Sequence, residues 1–387
     1  MFKALYKEFL DSEKSCGFIL MICVALSLLL ANLSLPFSYS DFWHISVGGF
    51  SLVHIINDGF MTLFFLLIGL ELEHEIYVGK LRRFRDAILP ILAALGGMLV
   101  PAAVYYMFTA STPYTSGVGI PMATDIAFAV AVLSLFGKRV PVVVKVFLVA
   151  LAVIDDLGAV LVIAIFYAGE INFLALGLAL LLFAALLVLN KCNVLSLYPY
   201  IIGGVVMWYL MLISGVHPTL TGVLLAFAVP FRQKMDNAPS FKLQHYLAKP
   251  VGFVVLPLFA LANTAIPIGV GEFGGVFSSY GMGALCGLLF GKPIGIMLFA
   301  FIAVWLGIST KPKELKWKYI FGISILAGIG FTMSIFITLL SFDSNVLVSS
   351  SKVAVLLASF LAGMLGYLWL NAVLPKQKKD HSVLSSL

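Results

Sequence analysis

The chain has 387 residues, 61% of them hydrophobic and only 11% charged, with a mean hydropathy of +1.08. Soluble domains are roughly 45–50% apolar and about 25% charged, so the composition excludes an ordinary soluble enzyme. The excess of 24 Lys and Arg over 18 Asp and Glu would suggest nucleic acid in a soluble chain; here it marks membrane loops, and no nucleic-acid partner is expected.

A bilayer span needs about 20 mostly apolar residues. The hydropathy pattern predicts an all-α polytopic membrane protein, one domain over 1–387, with about twelve transmembrane helices. In chain order they are 17–33, 53–79, 87–109, 117–137, 142–168, 173–190, 197–213, 218–230, 250–268, 282–306, 319–341 and 352–374. Residues 18–33 follow Lys3, Lys7 and Lys14 and have the outline of a signal peptide; they are read as an uncleaved first helix. Between the first two spans, Gly48-Gly49 within alternating residues predicts a short β-hairpin in the 43–54 segment. The segments 197–213 and 218–230 could equally form one bent hairpin.

If the spans alternate, every Lys and Arg except Lys292 and Lys352 falls on one side. The positive-inside rule makes that side the cytoplasm, with both termini there. Lys352 is expected at the outer edge and Lys292 deep in a span. Cys16, Cys23, Cys192 and Cys286 have no CxxC or metal spacing, so neither a disulfide nor a bound metal cofactor is inferred.

A charge at mid-span costs roughly 2.5–3.5 kcal/mol on insertion scales and is usually functional. Asp125, Asp155, Asp156 and Lys292 all sit in apolar runs. Asp155 and Asp156 are adjacent, so on a helix they point about 100° apart and must have different surroundings. One is expected to contact an ion, the other to pair with a fixed charge or carry a proton. Asp125 follows Gly119-Ile120-Pro121, which would interrupt a helix. A second interruption is expected at Gly328-Ile329-Gly330. Two broken helices crossing at mid-membrane would fit inverted repeats over approximately 87–168 and 282–374, with Asp125 balancing half-helix N-termini and Lys292 the C-termini.

Glu71, Glu73, His74 and Glu75 crowd the cytoplasmic end of the second span, and His217 and His245 lie near loop ends. Together they suggest a cation-attracting mouth that responds to pH. Asp58, at the other end of the second span, is expected to be interfacial. No nucleotide-binding motif is present, so an ion gradient would supply the energy. An intramembrane aspartyl protease would need two carboxylates sharing a proton, which a lysine in the same site upsets.

Several stretches, taken in order, are specific in combination: Phe64-Phe65-Leu66-Leu67-Ile68-Gly69-Leu70-Glu71, Ala123-Thr124-Asp125-Ile126-Ala127-Phe128, Ile154-Asp155-Asp156-Leu157-Gly158-Ala159, Ser214-Gly215-Val216-His217, Leu256-Pro257-Leu258-Phe259-Ala260, Gly291-Lys292-Pro293-Ile294-Gly295 and Gly328-Ile329-Gly330-Phe331-Thr332-Met333-Ser334. On these the sequence resembles the bacterial NhaA-type sodium/proton antiporters over nearly its whole length, a family that is itself a standing example of inverted-repeat transport.

The resemblance implies a secondary transporter and no enzyme, exchanging Na+ or Li+ for H+ across the bacterial inner membrane, electrogenically and without a cofactor. It implies that Asp156 is the main ion ligand, that Asp155 pairs with Lys292, and that Thr124 and Asp125 stand at the helix crossing. It further implies a homodimer joined through the 43–54 hairpin and a pH-responsive cytoplasmic mouth, which the reading of the residues places at Glu71, His74, Glu75, His217 and His245. Two departures concern that response: Gln244 stands where the family carries an acidic residue, and His74 where it carries an arginine.

Overall fold

The apolar runs become helices that stack side by side. The computed structural model describes residues 2–33, 38–79, 84–232, 238–267 and 269–375. The chain opens with α1 (Phe2–Asn32), the short α2 (Tyr39–Trp43), strands β1 (Ser46–Val47) and β2 (Phe50–Ser51), and α3 (Leu52–Tyr77). Next come α4 (Phe84–Thr109), a 3₁₀ segment Thr115–Met122, α5 (Ile126–Ser134), α6 (Val142–Phe166) and α7 (Phe173–Lys191). They are followed by α8 (Tyr198–Ser214), α9 (Leu220–Ala228), α10 (Pro239–Asn263), α11 (Val270–Gly275) and α12 (Ser279–Trp305). The chain closes with α13 (Trp317–Ala327), α14 (Phe331–Ser341) and α15 (Asn345–Val373).

Among the described residues, nine helical stretches are long and apolar enough to cross a bilayer, or ten when the pair α13 and α14, bent by 44°, counts as one span. The remaining two predicted spans fall on α8 and α9. These are two separate helices, because Gly215 takes a left-handed conformation (φ 80°) that ends α8. The β-hairpin forms as expected: Val47 pairs with Phe50 and Ser46 with Ser51, with Gly48 and Gly49 at φ 61° and 89° as a tight turn requires.

Two expected boundaries move. The span predicted at 250–268 begins at Pro239, which starts α10 with its fixed φ and carries the polar residues Lys242 to Lys249 into the helix. The span predicted at 352–374 begins at Asn345, because Ser350, Ser351 and Lys352 face protein instead of lipid and are buried within α15. Lys352 thus lies inside α15 and is buried by protein. Three π-helical turns, Ile55–Phe60, Val251–Val255 and Gly287–Gly291, sit inside α3, α10 and α12. They carry no hydropathy signal, since they change the backbone register and leave the composition alone.

One contact places the site. α4 and α12 cross so closely that a Cβ on Gly96 would lie 2.2 Å from Gly295 O, and one on Gly295 would lie 2.0 Å from Gly96 O. Small residues permit this approach. It brings Lys292, at the end of the third π turn, across Pro101 and Gly97 towards α6, where a Cβ on Gly97 would lie 3.8 Å from Asp155 Oδ1.

Candidate ion-binding site

Residues 123–125 are non-helical between the 3₁₀ segment and α5, and Gly328–Gly330 separates α13 from α14. A broken backbone inside a membrane protein must find new hydrogen-bond partners. Here each break supplies them to the other. Asp125 N donates to Ile329 O at 2.7 Å, and Ser334 Oγ donates to Ile120 O at 2.6 Å.

Asp125 caps two half-helices with one carboxylate. Oδ1 accepts from Phe128 N at the start of α5 (3.0 Å), and Oδ2 accepts from Thr332 N (3.1 Å) and Thr332 Oγ1 (2.6 Å) at the start of α14. Helix N-termini carry partial positive charge, so the carboxylate meets two of them. Lys292 does the converse. Its ammonium donates to Met122 O, at the carbonyl end of the 3₁₀ segment, and lies 2.9 Å from Asp155 Oδ2. Thr124 Oγ1 lies 2.6 Å from Asp155 Oδ2 and 3.0 Å from Ala327 O, so its one proton bridges α6 and the second break.

The adjacent aspartates differ as their helical spacing requires. Asp155 turns towards Lys292 and Thr124. Asp156 turns the other way and lines a cavity of about 70 Å³ together with Thr124, Asp125, Thr332 and Glu71. Asp155 Oδ1 and Asp156 Oδ1 are both buried without a hydrogen-bond partner among the described residues. Three carboxylates and one ammonium thus share a buried site. Like charges held together out of water are costly, and a monovalent cation or protons would complete the balance. Carboxylate and hydroxyl oxygens are the donors that hard cations take.

The cavity runs from Asp156 along α3 to Glu71 and along α10 to Ala248, with Cys16 of α1 on its wall. His74, three residues after Glu71, packs its ring against Phe241 of α10 (5.4 Å) and Phe231 (6.5 Å). Glu73 is buried, its Oε2 without a hydrogen-bond partner among the described residues, and His245 is exposed on α10.

The structure does not bring His217 to this cluster. It lies at the opposite end of α3, roughly 20 Å away along the helix, where Nε2 is 3.6 Å from Asp58 Oδ1 and Nδ1 is 2.7 Å from Thr219 Oγ1. Asp58 also meets His54 at 3.1 Å. Burial holds the His217 imidazole down at about 4, and the neighbouring His54 pushes in the same direction. A single pH-responsive mouth containing both Glu71 and His217 is therefore not what the chain builds, because the loop after α8 turns back at Gly215 to the Asp58 end.

Comparison with known proteins gives one answer throughout. The family described as Na+/H+ antiporter 1 matches residues 7–370. The chain belongs to that family. It is 55% identical over 370 residues to the Na(+)/H(+) antiporter NhaA of Cytophaga hutchinsonii, covering 96% of each chain. It is 52% identical to the proteins of the same name from Flavobacterium psychrophilum, over 96% of each chain, and from Dechloromonas aromatica, over 95% of each. The multi-pass helical architecture is the one expected for this family.

Thr332 was quoted in the sequence only as part of the second break, yet it is the residue through which that break holds Asp125. Its signal was positional: a Thr just past Gly328-Ile329-Gly330 answers Thr124 in the first break. The Met122 carbonyl that receives Lys292 carries no sequence signal, because any residue supplies one.

Proposed function

We propose that the chain is a secondary antiporter exchanging Na+ or Li+ for H+, with Asp156 as the principal cation ligand. The observation that carries this reading is a buried carboxylate oxygen with no hydrogen-bond partner among the described residues, on a residue that lines a cavity beside a paired Asp155 and Lys292. Thr124, Asp125 and Thr332 hold the crossing that frames the site. A cation entering past Glu71 displaces a proton from Asp156 and competes with the Lys292 ammonium for Asp155, and protons arriving from the other side displace the cation. More protons than sodium ions move per cycle in this reading, so exchange is electrogenic and driven by the proton gradient. Movement of one bundle against the other changes the side that sees the site, with the segments 87–168 and 282–374 acting as inverted repeats.

In this reading the protein lies in the bacterial inner membrane. Both termini and the Glu71 end of α3 face the cytoplasm, where basic loop residues collect. The hairpin at Ser46–Ser51 joins two copies, since Ile45, Val47 and Phe50 are exposed apolar side chains around it. Glu71, His74, Glu75 and His245 shape the response to pH at the cytoplasmic mouth.

The test is Na+- and Li+-driven proton movement by the purified protein in proteoliposomes and in everted vesicles over a pH series. Exchange that generates a membrane potential supports the reading. Proton movement that ignores both cations would sink it.

A further inference from the structure

Lys352 takes no part in the ion site, yet it is buried within a membrane-spanning helix. It lies seven residues into α15, about 10 Å along the axis from Asn345. Its ammonium donates to Asn263 Oδ1 at 3.3 Å, and Asn263 Nδ2 donates to Asn57 Oδ1 at 2.7 Å. Among the described residues no carboxylate lies within ion-pair distance of it. Ser350 and Ser351, which precede it, hold buried hydroxyls without hydrogen-bond partners among the described residues. One turn of α15 thus gathers three polar groups that are short of partners.

The position of this chain of amides matters. Asn57 is near the start of α3, and Asn263 is the last residue of α10. Further along α3, and towards the start of α10, Glu71 and Ala248 line the cavity that reaches Asp156. The pair α3 and α10 is therefore parted around a cavity at one end and tied together, and to α15, at the other.

We propose that Lys352, Asn263 and Asn57 form a latch that closes the outer end of the transport path, released when water reaches the Lys352 ammonium. The proposal rests on the antiport reading above. A buried ammonium with one neutral acceptor has exchanged its hydration for a single hydrogen bond. Opening the outer end returns water to Lys352, Ser350 and Ser351. The lysine charge therefore works against the closed latch, while Asn263 works for it. Removing the charge holds the outer end shut. Removing the amide lets it open.

The latch is tested by measuring Na+-driven exchange from each side, in everted and in right-side-out vesicles. The apparent affinity on a side scales with the fraction of molecules open to that side. The ratio of outer to cytoplasmic apparent KM therefore reports the equilibrium directly. Lys352→Met raises this ratio about fivefold and Asn263→Ala lowers it by a similar factor, the change that one hydrogen bond produces. Lys352→Arg keeps the charge and stays near wild type. A ratio unmoved in both variants, or moved the same way in both, overturns the latch. Should Lys352→Met fail to insert, Asn57→Ala must lower the ratio as Asn263→Ala does, or the proposal is wrong. Absence of exchange in the wild-type protein would refute antiport itself, whereas exchange with an unmoved ratio refutes only the latch.

Discussion

Lys292 Nζ lies 2.9 Å from Asp155 Oδ2 with neither side chain exposed, and the same ammonium reaches Met122 O at the first helix break. One cation therefore neutralises a carboxylate and a helix carbonyl end together. Removing one partner of a buried pair leaves an uncompensated charge and typically costs about 3–5 kcal/mol. Lys292→Ala is expected to lower the thermal stability of the purified protein markedly and to move the pH profile of exchange. Melting and pH profile both at wild-type values would mean that the pair does not exist in the membrane.

Asp156 makes a different demand. Among the described residues its Oδ1 has no hydrogen-bond partner, so an amide in its place breaks no hydrogen bond at that oxygen. Asp156→Asn keeps the shape and removes the anionic ligand. The variant should insert and melt like wild type while sodium-driven proton movement is lost. Full activity in Asp156→Asn would remove this residue from the ion site. Inactivity accompanied by misfolding would give it a structural role instead.

The contrast between these two residues shows what the sequence could convey. Asp125, Asp155, Asp156 and Lys292 stood out because ionised groups in apolar runs are too costly to be incidental. The two breaks were legible for a similar reason, since Gly and Pro interrupt hydrogen-bond ladders. Which aspartate faces the lysine was open, because adjacency sets an angle and no absolute direction. That Asp125 caps both α5 and α14 depends on residues 207 positions apart in the chain. The start of α15 was placed late because hydropathy treats a serine-rich turn as a loop, whereas α15 buries that turn against α11 and its neighbours. A Cβ on Gly275 would lie 2.4 Å from Ser350 Oγ.

His217 gives a stability prediction with a definite sign. An unfolded histidine titrates near pH 6.5, and burial holds the folded one at about 4. The folded state thus prefers the neutral ring. Above pH 6.5 both states are neutral and the preference is fully expressed. As pH falls from about 6.5 to about 4 the unfolded chain takes up the proton first, and stability is lost across that window, by a few kcal/mol at most. Thermal melts should decline through this range, and His217→Asn, which does not titrate, should decline less steeply. Parallel curves for the two proteins would show that His217 is protonated as easily in the fold as out of it.

The set-point of the pH response makes the last prediction. An antiporter that imported protons into an acid cytoplasm would harm the cell, and in the mechanism proposed above competition at Asp156 gives part of the protection, since protons displace sodium as pH falls. The remaining part is assigned to the mouth of the cavity. There His74 sits one helical turn from Glu71, against the rings of Phe241 and Phe231. A histidine can gain and lose charge within the physiological range, whereas an arginine stays charged. Arginine in its place would hold a positive charge at the mouth at every physiological pH and make it less attractive to sodium. Gln244 is half-buried on α10 and cannot ionise, so its place contributes no charge at any pH. The midpoint of the activity-versus-pH curve should therefore move with His74→Arg, by several tenths of a unit or more given a nearby unit charge at intermediate dielectric, and respond little to Gln244→Glu. Activity of the two variants in everted vesicles, compared over the same pH series, decides the matter. A midpoint that follows Gln244→Glu and ignores His74→Arg would place the sensor on α10.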